Sequence, residues 1–332
     1  MSSRRSAIKD LFNDAKAKRR AGYVPSADAP AEYHDHTWEN GRRYRGHRSE
    51  YPWPNDEEAT EAYSCLHSAW YFLLRPTAEL VRAPVPFCRG MKVLDCCARN
   101  MSWVNKVADN HAGVRVSVID PVSAWLYPTS ITVHNEVEGE WPYTARQAFH
   151  LVRANGLGGM VVDYAGLYGN AYKHLLPGGW FEVRDNDLQF FTDVPENEEK
   201  LVVLRRWEGL MAEAAEKFGK PINMSPKHKA FMEEAGFTEV QEEVYKLPLG
   251  DWMEGEPWVK VKSMTILHMR HGLEGYTLRL FTKTLGWSLE DTKDFIKEVK
   301  EEIAETKLKD LRLCSYFRVV IGKKPEDVSR KP

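Results

Sequence analysis

The 332 residues amount to 38.2 kDa, a length that suits one large domain with elaborations or two domains. Lys and Arg number 46 against 48 Asp and Glu, a net charge of −2, which gives no basis for a nucleic-acid coat or a membrane-surface binder. With 43% hydrophobic and 28% charged residues, wholesale disorder and fibrous repeats are excluded. No apolar run approaches the roughly 18–20 residues of a membrane span, and Met1-Ser2-Ser3-Arg4-Arg5 lacks a signal peptide's apolar core. The five cysteines, at 65, 88, 96, 97 and 314, follow no zinc spacing and suggest free thiols in a reducing compartment. The expectation is a soluble cytoplasmic protein, with a nuclear site as the alternative. Eleven tryptophans suggest a large aromatic-lined interior or pocket.

Residues 1–31 form a basic tail in which Arg4, Arg5, Lys9, Lys16, Lys18, Arg19 and Arg20 face only Asp10 and Asp14. It reads as a solvated arm or, more sharply, as a nuclear-import or partner-binding stretch. From residue 32 to 88 the composition changes: aromatics, histidines and arginines crowd between Tyr33 and Trp53, and Pro52, Pro54 and Asn55 mark a turn. Asp56-Glu57-Glu58 then supplies acids for the first turn of a helix running to about Leu74. βα alternation begins near Met91. Strands are predicted over 92–97, 114–120, 149–152 and 180–183, with helices over 102–110 and 164–175, the latter closed by Pro177-Gly178-Gly179. Helices of about 196–218 and 226–235, a strand over 239–247, an almost wholly helical 257–306 and a closing strand over 315–323 complete the pattern. Strands separated by helices predict a doubly wound sheet, whose ligand sits beyond the carboxyl ends of the strands. Asp95 and Asp120 end the first two strands, where a carboxylate can accept hydrogen bonds from both ribose hydroxyls of a nucleoside. Capping or a plain surface position explains a lone acid equally well.

Several motifs together resemble the LaeA-type methyltransferases of filamentous fungi. They are Asn40-Gly41-Arg42-Arg43-Tyr44, Tyr51-Pro52-Trp53-Pro54-Asn55-Asp56-Glu57-Glu58, Val93-Leu94-Asp95, Leu176-Pro177-Gly178-Gly179-Trp180-Phe181-Glu182, Gly272-Leu273-Glu274-Gly275 and Val320-Ile321-Gly322-Lys323-Lys324-Pro325. The resemblance spans about residues 33–325. It implies an α/β, Rossmann-like class I methyltransferase fold: a seven-stranded, mostly parallel, doubly wound sheet whose last strand is antiparallel, with an N-terminal helical lid and a helical insertion. The expected divisions are lid 32–88, methyltransferase-like domain 89–325 with a substrate-covering insertion 250–306, and a tail 326–332. The implied ligand is S-adenosylmethionine, and the implied setting is fungal secondary metabolism, in a biosynthetic enzyme or a regulator.

The chain departs from that family at one loop. Leu94, Asp95 and Trp103 are kept, but Cys97, Arg99 and Met101 stand where the family has three glycines. Glycine there permits a tight turn, backbone approach to the ligand and close helix packing. The long side chains fill the space of the methionine part of the ligand, and Arg99 sets a cation near its sulfonium. Asp120 survives, and Asn135-Glu136 stand where the family's adenine-contacting acids fall. Cys96-Cys97 read as small apolar residues or as a thiol pair activated by Arg99. Arg99 either pairs with Asp95 or Asp120, or binds an anionic or enolate-like substrate oxygen. The histidines show no metal spacing, and no metal is expected.

Tyr33, Trp38, Tyr44, Tyr51 and Trp53 pack the lid on the body or form a wall for a flat apolar substrate with polar handles from the tyrosines, Tyr44 among them as a catalytic candidate. In the insertion, Trp258, Met264 and Trp287 are expected to cover the substrate beside Asn155. His268 and His271, at i+4 and i+7 from Met264, are candidate general acids or bases. The leading expectation is a SAM-independent cyclisation, pericyclic or isomerisation enzyme acting on a small apolar, polyketide-like metabolite. The alternatives are an active S-adenosylmethionine-dependent methyltransferase and a non-catalytic regulatory partner, the last marked by an exposed apolar patch and a filled cleft. The expected partner is a small molecule, with no cofactor in the leading case; the substrate and the oligomeric state are not determined by the sequence.

Overall fold

A computed structural model describes residues 36–46, 51–74, 80–99, 102–120, 132–134, 137–144 and 148–326. The frame begins with two short strands, β1 (His36–Glu39) and β2 (Arg42–Arg45), joined by Asn40-Gly41 with both residues at positive φ. Asn-Gly favours this turn because its twist matches the flanking strands. Helix α1 (Glu57–Leu74) follows, with Glu57 and Glu58 at its positive end and a long buried stripe that includes Tyr63, Leu66 and Trp70.

The central sheet is made of β3 (Lys92–Cys96), β4 (Arg115–Ile119), β5 (Thr132–His134), β6 (Phe149–Asn155), β7 (Leu175–Asn186), β8 (Phe191–Thr192), β9 (Thr238–Leu249) and β10 (Leu313–Lys323). The order across it is β5-β4-β3-β6-β7-β10-β9, with β8 a two-residue addition pairing the start of β10. The first four pairings are parallel, and β10 runs antiparallel to both β7 and β9. This is the class I methyltransferase arrangement, with the reversed last strand that the family resemblance implies. Strands such as Val93-Leu94 and Leu151-Val152 are apolar without alternation because helices cover both faces of the sheet. Two buried clusters result. One includes Leu94, Ala154, Phe181 and Trp207; the other includes Trp70, Trp103, Leu151 and Phe317.

Helices α2 (Ser102–Asn110), α3 (Tyr164–His174), α4 (Val202–Phe218) and α5 (His228–Glu234) lie between the strands. The predicted 257–306 helical segment divides into α6 (Trp258–Arg279), a π turn at Leu280–Thr284, α7 (Leu289–Glu302) and α8 (Glu305–Leu311). Three expectations need correction. Strand β5 and the β1–β2 hairpin were absent from the periodicity, being too short for a pattern to accumulate. Pro177-Gly178-Gly179 does not close a helix but lies inside β7, where the Gly178 N–H donates to Lys324 O at 2.9 Å and the Lys324 N–H to Gly179 O at 2.8 Å.

Gly272 explains one motif. A Cβ there would lie 2.9 Å from the Tyr276 ring and 3.5 Å from Ala62 Cβ, so its absence lets α6 approach α1. Trp53 docks in a comparable way, its indole N–H donating to Gly158 O at 3.2 Å and its ring lying over Gly159. Gly159 has φ +73°, and an added Cβ would meet the ring at 2.3 Å. Gly159→Ala therefore combines a left-handed alanine with overpacking and is expected to cost about 2–4 kcal/mol in urea denaturation. An unchanged midpoint would show that Trp53 is not seated there.

Candidate functional site at the β3–β6 switch

From β3 the chain builds outward through β4 to β5, then returns to the other flank of β3 with β6. The crevice beyond the carboxyl ends of β3 and β6 is the switch point where such sheets bind ligands. Cys97 has φ +57° and Arg99 φ +49°. The turn thus keeps a glycine-like path although both residues carry side chains, at a cost of roughly 1–2 kcal/mol each. Two hydrogen bonds hold it: the Cys97 N–H donates to Ile119 O at 2.7 Å, and the Arg99 N–H to Asp120 Oδ2 at 2.7 Å. The Arg99 side chain then crosses the crevice. Its Nη2 donates to the Gly156 carbonyl just beyond β6, its guanidinium lies 4.4 Å from the centre of the Tyr63 ring, and its Nε is buried without a partner.

Around Arg99 stand residues from α1 and α6. Tyr276 packs edge-on against Trp53 at 5.1 Å and against Tyr63 at 6.4 Å. Its hydroxyl meets His268 Nε2 at 3.3 Å, while His268 Nδ1 meets Ala62 O at 2.9 Å. A carbonyl only accepts, so the proton sits on Nδ1 and Nε2 is left to accept from Tyr276. Burial pulls the His268 pKa down to about 4, so the ring is neutral near pH 7; the Arg99 charge adds to the effect and the Ala62 bond opposes it. His268 also lines a small cavity of about 20 Å³ with Asn186, Thr265, Met269 and Ser315.

Beneath the crevice, Asp95 Oδ1 accepts from Arg153 Nη1 and Asn155 Nδ2, both at 3.0 Å. Asp95 Oδ2, Asn155 Oδ1 and two Arg153 nitrogens have no partner among the described residues. Burial raises the Asp95 pKa and lowers that of Arg153, each disfavouring its own charged form.

No protein-family model matches the chain. It is 27% identical over 293 residues to methyltransferase pytC of Aspergillus terreus, spanning 87% of this chain and 88% of that protein. The protein-methionine methyltransferase laeA of Emericella nidulans is 25% identical over 295 residues, 86% of this chain and 76% of that one. This chain is a homologue of the LaeA-type fungal methyltransferases. Among solved structures, Haemonchus contortus phosphoethanolamine N-methyltransferase 2 with S-adenosyl-L-methionine superposes with a TM-score of 0.45 at 13% identity, covering 84% of this chain and 59% of that one. The [4+2]-cyclase SpnF gives 0.43 at 12%, covering 80% and 81%.

Of the LaeA-type motif positions, Asp95, Cys97, Arg99 and Asp120 gather at the switch, while Met101, Asn135, Glu136 and Tyr33 lie outside the described residues. Arg99 does not pair its guanidinium with Asp95 or Asp120; only its backbone reaches Asp120. Cys97 is no activated thiol, because burial outweighs the nearby Arg99 and pushes its pKa up. His268 joins the site. His271 does not: its Nδ1 lies 3.8 Å from Glu58 at the start of α1. Tyr44 is buried under the Arg279 guanidinium at 3.6 Å, and burial raises its pKa, so it packs in the hairpin and not in the crevice.

The expected substrate wall is mostly packed away. Tyr51 is buried and its carbonyl accepts from Arg279 at 2.7 Å; Trp53 seals the Gly158-Gly159 loop; Asn155 is engaged with Asp95. Trp38 is 67% exposed on the hairpin, because it alternates with inward-facing neighbours. Met264 and Trp258 pack into the cluster that holds Trp70, and Trp287 packs against Phe281 at 5.1 Å and Phe295 at 5.5 Å. Sequence reasoning missed Tyr63, Tyr276 and Arg153. An arginine inside the apolar run 149–155 was the available signal for the last; the tyrosines had none.

Because His268 titrates near 6.5 when unfolded and about 4 when folded, the unfolded chain binds the extra proton between those values. Its share of stability is present above about pH 6.5 and is lost as the pH falls toward 4. His268→Gln is expected to lose less unfolding free energy than the parent chain over that window. Parallel curves would mean that the ring is open to water.

Proposed function

We propose that this chain is a methyltransferase-fold enzyme of fungal secondary metabolism that promotes a SAM-independent rearrangement of a small, apolar, polyketide-like metabolite: a cyclisation, a pericyclic step or an isomerisation. One observation carries the reading: the Arg99 guanidinium spans the crevice from the β3 turn to Gly156. S-adenosylmethionine does not fit that arrangement. Its sulfonium would share a half-buried crevice with a second cation, and one oxygen of Asp120, the acid placed for a ribose, already accepts the Arg99 N–H. The names of the curated relatives support the setting in secondary metabolism.

In this reading Arg99 supplies a preorganised donor to an oxygen on which charge develops. The neutral His268 and the Tyr276 hydroxyl form a couple that can take up or return one proton on the substrate's polar end. Tyr63, Trp53 and Tyr276 supply aromatic surface that favours one folded shape of the substrate.

A methyltransferase that still uses S-adenosylmethionine is the second reading. The left-handed backbone at Cys97 and Arg99 favours it, since a swing of one side chain would reopen the turn. A regulatory partner is favoured less, because the exposed large apolar side chains among the described residues (Trp38, Val162, Val202, Val244, Val259 and Leu289) belong to different segments.

Calorimetry with S-adenosylmethionine separates the readings. The parent chain is expected to give no heat of binding, and Cys97→Gly/Arg99→Gly/Met101→Gly to bind at least about 100-fold more tightly. Stoichiometric micromolar binding by the parent chain would overturn the SAM-independent proposal.

A further inference from the structure

Four buried arginines in this protein hold carboxylates. Arg42 holds Asp56 at 2.6 Å, Arg153 holds Asp95 at 3.0 Å, Arg184 holds Glu182 at 2.6 Å, and Arg279 holds Glu39 at 2.8 Å. Arg99 has none within ion-pair distance among the described residues. Its guanidinium meets a carbonyl, a phenol ring and an unpartnered Nε position. Of the carboxylates near it, Asp185 is committed to His228 at 2.9 Å, and Asp120 accepts the Arg99 backbone N–H at 2.7 Å and not its guanidinium. The other groups facing it, Tyr63, Tyr276 and His268, are neutral near pH 7. Guanidinium does not release its proton in proteins, so among the described residues this charge has no counter-ion, an arrangement that is unfavourable in a low-dielectric crevice until an anion arrives.

We propose that the crevice binds a carboxylate-bearing small molecule, with the Arg99 Nε–H edge donating to its carboxylate and Tyr63 and Tyr276 against its apolar body. The site is therefore inverted in charge relative to one that takes a sulfonium. This rests on the SAM-independent reading and names its substrate class.

Benzoate and its neutral isostere benzamide test the charge at nearly constant shape. With the full chain, millimolar benzoate is expected to raise the melting temperature and to show saturation transfer by NMR, with benzamide at least about tenfold weaker. Arg99→Gln is expected to lose about tenfold or more in benzoate affinity and to leave benzamide unchanged. If that variant does not fold, Arg99→Lys, which keeps a cation without the planar fork, is expected to retain the preference for benzoate over benzamide. Equal binding of the two probes, benzoate binding undiminished in Arg99→Gln, a preference lost in a folded Arg99→Lys, or no benzoate response would each overturn the assignment. Tight S-adenosylmethionine binding by the same preparation would overturn the parent reading as well. Absence of both would overturn the anion assignment alone.

Discussion

The Arg99 guanidinium resting on the Gly156 carbonyl joins the loops after β3 and β6, the two strands between which the sheet reverses its order of construction. To make that reach, the backbone adopts left-handed angles at Cys97 and Arg99, and the Ile119 carbonyl and Asp120 carboxylate hold it there. The strain is small beside the burial energy of the domain, so the fold tolerates it. Its consequence is large, because a permanent cation stands where a doubly wound sheet offers its binding crevice. The field of that cation helps keep His268 neutral, and its flat face selects tyrosine at position 63 as a partner.

The N-terminal hairpin and the segment before α1 are held by the opposite device, matched charge. Arg279 grips Glu39 through two hydrogen bonds and the Tyr51 carbonyl through a third, while Arg42 grips Asp56 through two. Paired and hydrogen-bonded guanidinium groups can be buried, and here they replace the apolar area that a four-residue strand cannot offer. Arg279 lies at the end of α6, close to the π turn, so the helix that carries His268 and Tyr276 also holds the hairpin. The site and the hairpin are therefore joined through α6.

Much of the fold was legible. The helices at 57–74 and 102–110 and the strands of the sheet centre follow from apolar periodicity, and the first helix also from its acidic first turn, which are local properties. The short hairpin and β5 were not, because four residues hold too little pattern, although Asn40-Gly41 marked the turn chemically. Within the site, Arg99 was visible as a departure from glycine, and His268 as part of a helical stripe. The aromatics misled: a tryptophan that fills a core and one that lines a pocket are the same residue in the chain, and Trp53 and Tyr51 proved to be packing while Trp38 faces solvent.

Sequence by itself determined the alternation of strands and helices, the acids that end β3 and β4, and the replacement of glycine by residues that cannot turn freely. Each of these depends on neighbours a few positions away. Tertiary structure alone decided that the altered turn would keep its glycine-like path, that Arg99 would cross to Gly156, and that Tyr63, Tyr276 and His268 would meet it. Those contacts join residues from 36 to 177 positions apart in the numbering, and their outcome rests on charge, burial and close approach between α1 and α6.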